Sequence, residues 1–271
     1  MLNPNDESND IPRILILTLF CGEPQLSSCI KSVRDQKKVQ CAQKVYNNLP
    51  NKEAHEALFA DIMKYSEQYD LYIKLDADMV FNNVNAVYRI YKNYLEYGRP
   101  GQISFKVNDH LTGSKIWGVN AYCPGSKWNL PLDGMFLDPS PININRHIRI
   151  TEDKMLLVEH CPSPSHQQEY QFGIHRAAKV LQFGEKFKFG RSYAHFKILT
   201  EAIDHLKTKN VLRGMEDVYT GKIKEVKDKR TLVDEENAKI TGSYLIIKIL
   251  HAMGLFGWIL LLLYYRVLYI S

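Results

Sequence analysis

No Cys-x-x-Cys pair occurs among the five cysteines of this 271-residue chain, Cys21, Cys29, Cys41, Cys123 and Cys161, so neither a zinc ribbon nor a dithiol redox motif is present. Their odd number and wide spacing argue against a disulfide framework and for a reducing compartment. Internal repeats and low-complexity tracts are missing as well. The first ten residues, MLNPNDESND, contain no apolar run, so no signal peptide is expected there and the main domain is expected in the cytoplasm. Nor is there a large excess of one charge. Thirty-five Lys and Arg against 30 Asp and Glu leave +5, too little for a nucleic-acid binder, which shows a dense basic face, so no nucleic-acid partner is expected.

What the chain does have is the composition of a globular protein, 45% hydrophobic and 24% charged, which excludes disordered and fibrous folds. Its length fits one α/β domain of roughly 200 to 250 residues plus a tail. The run Ile14-Leu15-Ile16-Leu17-Thr18-Leu19-Phe20 has strand length, Cys21-Gly22-Glu23-Pro24 breaks it, and helical spacing follows over 26–36. A second strand over 40–46, a turn over 47–52, a helix over 53–68 and a strand over 69–75 come next. Strands alternating with helices predict a mainly parallel, doubly wound α/β sheet whose ligand crevice lies at the carboxyl ends of the strands. Further on, the pattern reads helix over 83–97, strands over 102–107 and 116–122, strand over 154–159, and helices over 169–183 and 192–210. Residues 123–150, rich in Pro, Asn and Asp, are long for a plain connection and point to a functional loop.

Charge and hydropathy are unevenly spread. Residues 172–230 carry 14 Lys and Arg against 7 Asp and Glu, and the apolar segment 243–270 follows with no acid and only Lys248, His251 and Arg266 among basic side chains. Its longest apolar stretch, 249–265, predicts a C-terminal hydrophobic helix of about 25 Å, close to the roughly 30 Å hydrocarbon core. A membrane-inserted helix is the expectation, with an in-plane membrane helix or one buried in the fold as alternatives. The basic run 222–230 would hold the main domain on the cytoplasmic face of the membrane.

Chemistry is concentrated at Asp76-Ala77-Asp78, immediately after the third expected strand. Alternate residues of an extended chain share a face, so both carboxylates can enter the crevice and hold a divalent cation that neutralises a diphosphate. With these residues, two segments carry a family likeness. Residues 17–36, especially Leu26, Cys29-Ile30, Ser32 and Gln36, resemble the opening strand, loop and helix of family-2 glycosyltransferases with the GT-A fold. The segment 71–81, with Asp76-Ala77-Asp78, is similar to that family's metal-binding Asp-x-Asp.

The resemblance spans about residues 12 to 180. It implies transfer of a sugar from a nucleotide-diphosphate donor to a glycan or lipid-linked acceptor, in cell-surface polysaccharide synthesis, with Mn2+ or Mg2+ on Asp76, Asp78 and His160. His175 competes with His160 as the third ligand. Donor contacts would come from Thr18, Phe20, Glu23, Asn47, Asp76, Arg176 and Lys179, the last two set on one helical face. Where the family usually has Pro-Thr-Tyr-Asn this chain has Thr18-Leu19-Phe20-Cys21, and Asn47 or Asn48 replaces an acidic residue after the second strand. An inverting reaction needs a carboxylate base, and Asp138 and Asp133 lie at the expected interval before His160, with Asp153 as alternative. Trp117, Tyr122 and Trp128 fall on the acceptor side. The implied layout is a polar arm over 1–11, a catalytic domain over 12–220, a basic linker over 221–242 and the hydrophobic helix over 243–271. Two other readings compete: a haloacid-dehalogenase-type phosphohydrolase using Asp76 and Asp78, and a non-catalytic membrane-attached scaffold.

Overall fold

The computed structural model describes residues 11–132, 139–181, 188–206, 209–223 and 243–269. The expected amino-terminal half forms: β1 (Arg13–Phe20), α1 (Leu26–Arg34), β2 (Gln40–Asn47), α2 (Asn51–Lys64) and β3 (Leu71–Lys74). Strand β1 is apolar at every position from Ile14 to Leu17 because both of its faces are covered. Ile14 and Ile16 pack into one core with α1, while Leu15 and Leu17 pack into a second with Leu58, Phe59 and Ile62 of α2. Both β2 and β3 run parallel to β1.

Beyond β3 come β4 (Met79–Phe81), α3 (Ala86–Glu96), β5 (Gln102–Asp109), β6 (Ser114–Tyr122), β7 (His147–Ile150) and β8 (Val158–His160). The strand order is β2-β1-β3-β6-β5-β8-β4, with β7 beside β5. Among the described residues the sheet is more mixed than expected: four pairings are parallel and three antiparallel, because β6 enters antiparallel between β3 and β5. Strands β4 and β7, too short to show a period of their own, were not anticipated. The expected strand over 154–159 is instead a 3-10 turn, Asp153–Met155, followed by the short β8.

The rest of the described chain is helical: α4 (His166–Leu181), α5 (Phe189–Leu206), α6 (Lys209–Tyr219), α7 (Ser243–Ala252) and α8 (Leu255–Tyr269). These helices share their own core, built on Phe196, Leu199, Leu212, Met215 and Val218. A methyl on Gly173 of α4 would lie 2.1 Å from the Val211 carbonyl oxygen, and one on Gly214 of α6 2.2 Å from that of Tyr170, so the α4–α6 crossing requires glycine on both sides.

The single C-terminal hydrophobic helix is corrected to a helical hairpin. Gly254 adopts φ +58° between α7 and α8, a conformation that costs a side-chain-bearing residue but not glycine, and it ends the first helix. The 15 residues of α8 rise about 22 Å at 1.5 Å each. No helix among the described residues is long and apolar enough to cross a membrane.

Candidate active site

The carboxyl ends of β1 and β3 open on a crevice lined by Leu19, Phe20, Cys21, Glu23, Leu49, Asn51, Ala54, Asp76 and Asp78. The β1–β3 ladder continues one step past β3: Ala77 N–H donates to the Leu19 carbonyl at 3.0 Å. That extension keeps Ala77 buried beneath the strand end while Asp76 and Asp78 face the opening.

The two carboxylates have different neighbours. Lys74, buried in β3, sets its ammonium 3.0 Å from Asp76 Oδ1. Asp78 lies 3.4 Å from His160 Nε2 through Oδ2, and the other ring nitrogen, Nδ1, is 2.7 Å from Asp109 Oδ1. Asp109 has a fully buried side chain that also accepts from the Thr112 hydroxyl at 2.6 Å and the Leu111 N–H at 3.2 Å. Burial alone pushes the His160 imidazole down, but the charge of Asp78, its hydrogen bonds to Asp109 and Asp78, and the charge of Asp109 together hold it up at about 10. Burial pushes Asp109 up, and the hydrogen bond and charge of His160 outweigh it, leaving that carboxyl below the usual range.

Strand pairing creates this relay. Strand β8 lies between β4 and β5, with His160 opposite both Met79 and Asp109, so the strand just after the Asp-x-Asp and the strand end carrying Asp109 are brought to one imidazole. The Cys161 N–H donates to the Asp78 carbonyl at 2.6 Å from a backbone with φ 53°, fixing the histidine loop to the carboxylate loop. On the other wall, the Gln25 and Gln168 side-chain amides exchange hydrogen bonds of 3.0 and 2.8 Å, tying the first loop to the start of α4.

Several expected site residues therefore meet. Phe20, Glu23, Asp76 and Asp78 line the crevice, and His160 joins Asp78. Glu23 turns back on its own loop, accepting from the Cys21 N–H at 2.7 Å. Thr18 is fully buried and accepts from Gln43 at 2.9 Å, so it supports the strand. Asn47 ends β2 opposite Phe20 and is exposed. Arg176, on α4, places Nη1 3.2 Å from His195 Nδ1 and its guanidinium over the Phe172 ring. Its Nε is buried with no hydrogen-bond partner among the described residues, and burial lowers its pKa against the opposing charge of Asp109. Lys179 lies one turn further along α4 and is half-buried. Asp133 and Asp138 lie outside the described residues. Asp153 sits in the 3-10 turn, 74% exposed and 2.6 Å from Lys115. Tyr122 and Trp128 are core residues, packed with Phe59, whereas Trp117 is exposed beside Lys106 and Arg149.

Sequence reasoning missed Lys74 and Asp109. The signal for Asp109 was present, since a strand beginning at Gln102 and extended by two residues past Val107 ends on it.

A divalent cation fits part of this arrangement. Ligand atoms about 2.1 Å from one ion and at right angles lie about 3 Å apart, close to the Asp78–His160 spacing, and Asp109 orients the ring as a carboxylate partner does in metal sites. Among the described residues no group of three or more His, Cys, Asp or Glu side chains gathers to hold a metal. One carboxylate oxygen and one imidazole nitrogen would leave the other positions around such an ion to water or ligand oxygens.

No family model and no curated protein matches the sequence. Among solved structures, the mannosyltransferase PcManGT from Pyrobaculum calidifontis, determined with GDP-Man and Mn2+, is similar over 94% of this chain and 88% of its own, at 11% identity and a TM-score of 0.42. The A197 protein of STIV is similar over 35% of this chain and 47% of its own, at 14% identity and a TM-score of 0.26.

Proposed function

We propose that the protein is a metal-dependent glycosyltransferase that moves a sugar from a nucleotide-diphosphate donor to a glycan or lipid-linked acceptor. The observation that carries this reading is that Asp78, which lines the crevice after β3, meets the His160 imidazole at the end of β8, whose other ring nitrogen is held by Asp109 at the end of β5. Asp78 and His160, the latter after giving up its Nε2 proton on the ion's arrival, would hold Mn2+ or Mg2+, which would supply charge neutralisation for the diphosphate leaving group. Asp76, held by Lys74, sets the electrostatics of the opening. Arg176 lies near Asp109 with a buried Nε that no group among the described residues satisfies, and a diphosphate oxygen is the partner it fits. Asp138 or Asp133 is assigned the role of base from the sequence interval.

The test is calorimetric titration of the full chain with a panel of nucleoside diphosphates in Mn2+, Mg2+ or EDTA, beside Asp78→Ala. Binding that requires metal and disappears in the variant supports the reading and identifies the base. A folded protein that binds none of them overturns it and returns the phosphohydrolase and scaffold readings.

A further inference from the structure

The α7–α8 hairpin has two faces. Ile247 and His251 of α7 and Trp258 and Leu261 of α8 are buried against the helical core, with the His251 ring stacked on Phe196 at 4.0 Å and bonded to the Thr200 hydroxyl at 2.8 Å. The opposite face carries Ile246, Ile249, Leu255, Phe256, Ile259 and Leu263, each 40% or more exposed. Such a continuous apolar surface on a short element marks a site of association.

Its surroundings name the occupant. Phe189, 66% exposed at the start of α5, meets the edge of Trp258 at 6.0 Å, so an exposed aromatic ring stands where the hairpin docks on the core. Lys248 is exposed on α7 between Ile247 and Ile249, and Lys188 and Lys197 are exposed just before and within α5, the helix on which the hairpin packs. Neither α7 nor α8 contains an Asp or Glu, and α5 has none before Glu201. A second copy of this chain docked through the same face would bring like charges together. An anionic lipid surface is complementary on both counts, since it takes apolar and aromatic side chains at the acyl boundary and lysines at the headgroups.

We propose that the α7–α8 hairpin is an in-plane anchor for an anionic membrane surface, lying in the interface without crossing the bilayer. This attachment does not depend on the reading of the crevice. The hairpin stays docked on the helical core through Trp258 and His251 and presents its outer face to lipid, so binding needs no unfolding of the bundle.

Flotation of the full chain with liposomes tests it, comparing phosphatidylcholine alone with an equimolar phosphatidylcholine–phosphatidylglycerol mixture at low and high salt. The wild type is expected to float with the anionic mixture and at least tenfold less with the neutral one or in high salt. The double variant Phe256→Glu, Leu263→Glu changes only exposed positions and is expected to keep the wild-type circular dichroism while remaining unbound. Three results would overturn the proposal: a wild type that does not float, a folded double variant that floats equally well, or bound protein that resists alkaline carbonate extraction as a spanning segment does. If the wild type fails to float and instead sediments as a dimer that the double variant dissociates, the face belongs to a second copy.

Discussion

Asp109 touches His160 and nothing in the crevice opening, so its contribution is orientation. Replacing it with asparagine removes the charge that keeps Nδ1 engaged and leaves Nε2 free to turn from Asp78, and loss of such a partner typically weakens metal affinity 10- to 100-fold. Titrating Mn2+ into Asp109→Asn is expected to show a loss in that range, and an unchanged affinity would remove His160 from the ligand set. Arg176 makes a different prediction, because its buried cation has no carboxylate bonded to it among the described residues. A leucine there is expected to weaken nucleoside diphosphate binding at least tenfold, in keeping with the roughly 1.5 to 3 kcal/mol of a hydrogen bond to a charged group, while the melting temperature holds or rises because an unpaired buried charge has been removed. A fall in both would make Arg176 a packing residue. Asp76 and Asp78 were readable from sequence because a strand end places them together without help from any other segment. Lys74 was obscured, since a lysine inside a strand ordinarily marks a solvent-facing position, and only the assembled sheet shows that its side chain is 4% exposed.

At the level of elements, the α4–α6 pair brings two helix backbones together at glycine on both sides. Gly173→Ala and Gly214→Ala each force a methyl against a carbonyl oxygen that has no room to move, and overpacking of this kind costs about 1 to 3 kcal/mol. Chemical denaturation is expected to show each variant destabilised by that amount, although alanine is the better helix former; a gain in stability would mean the crossing relaxes freely. Both glycines lie in helices whose spacing alone says nothing against alanine, so the reason for glycine exists only in the pairing. The C-terminal segment teaches the same lesson from the other side. Its apolar run is continuous in composition, but Gly254 turns the chain, and the helical core takes Trp258 and Ile247 out of what composition alone reads as one span.

For the molecule as a whole, the helical half ties stability to pH. His195 and His251 are held neutral by burial, down to about 2 and about 3 respectively, with the charges of Arg176, Lys179 and Arg191 adding to the effect at His195. Both values fall below the ordinary 6.5, so the neutral forms stabilise the fold above that pH, and stability is lost as pH drops from 6.5 toward 3. Melting temperature is expected to decline from pH 6.5 downward, and His251→Leu is expected to flatten that slope; equal slopes would place the titrating group elsewhere. The sequence by itself determined the strand, loop and helix order of the first half, the carboxylate pair at the end of β3 and the apolar character of the tail, because each is written in a local period or a neighbouring pair of residues. Tertiary structure alone decided that β8 enters between β4 and β5, giving His160 both Asp78 and Asp109 as partners, and that the tail folds back as a hairpin. The first of those outcomes depends on contacts 51 and 82 positions apart, His160 to Asp109 and to Asp78, and local periodicity contains no term for pairing over such separations.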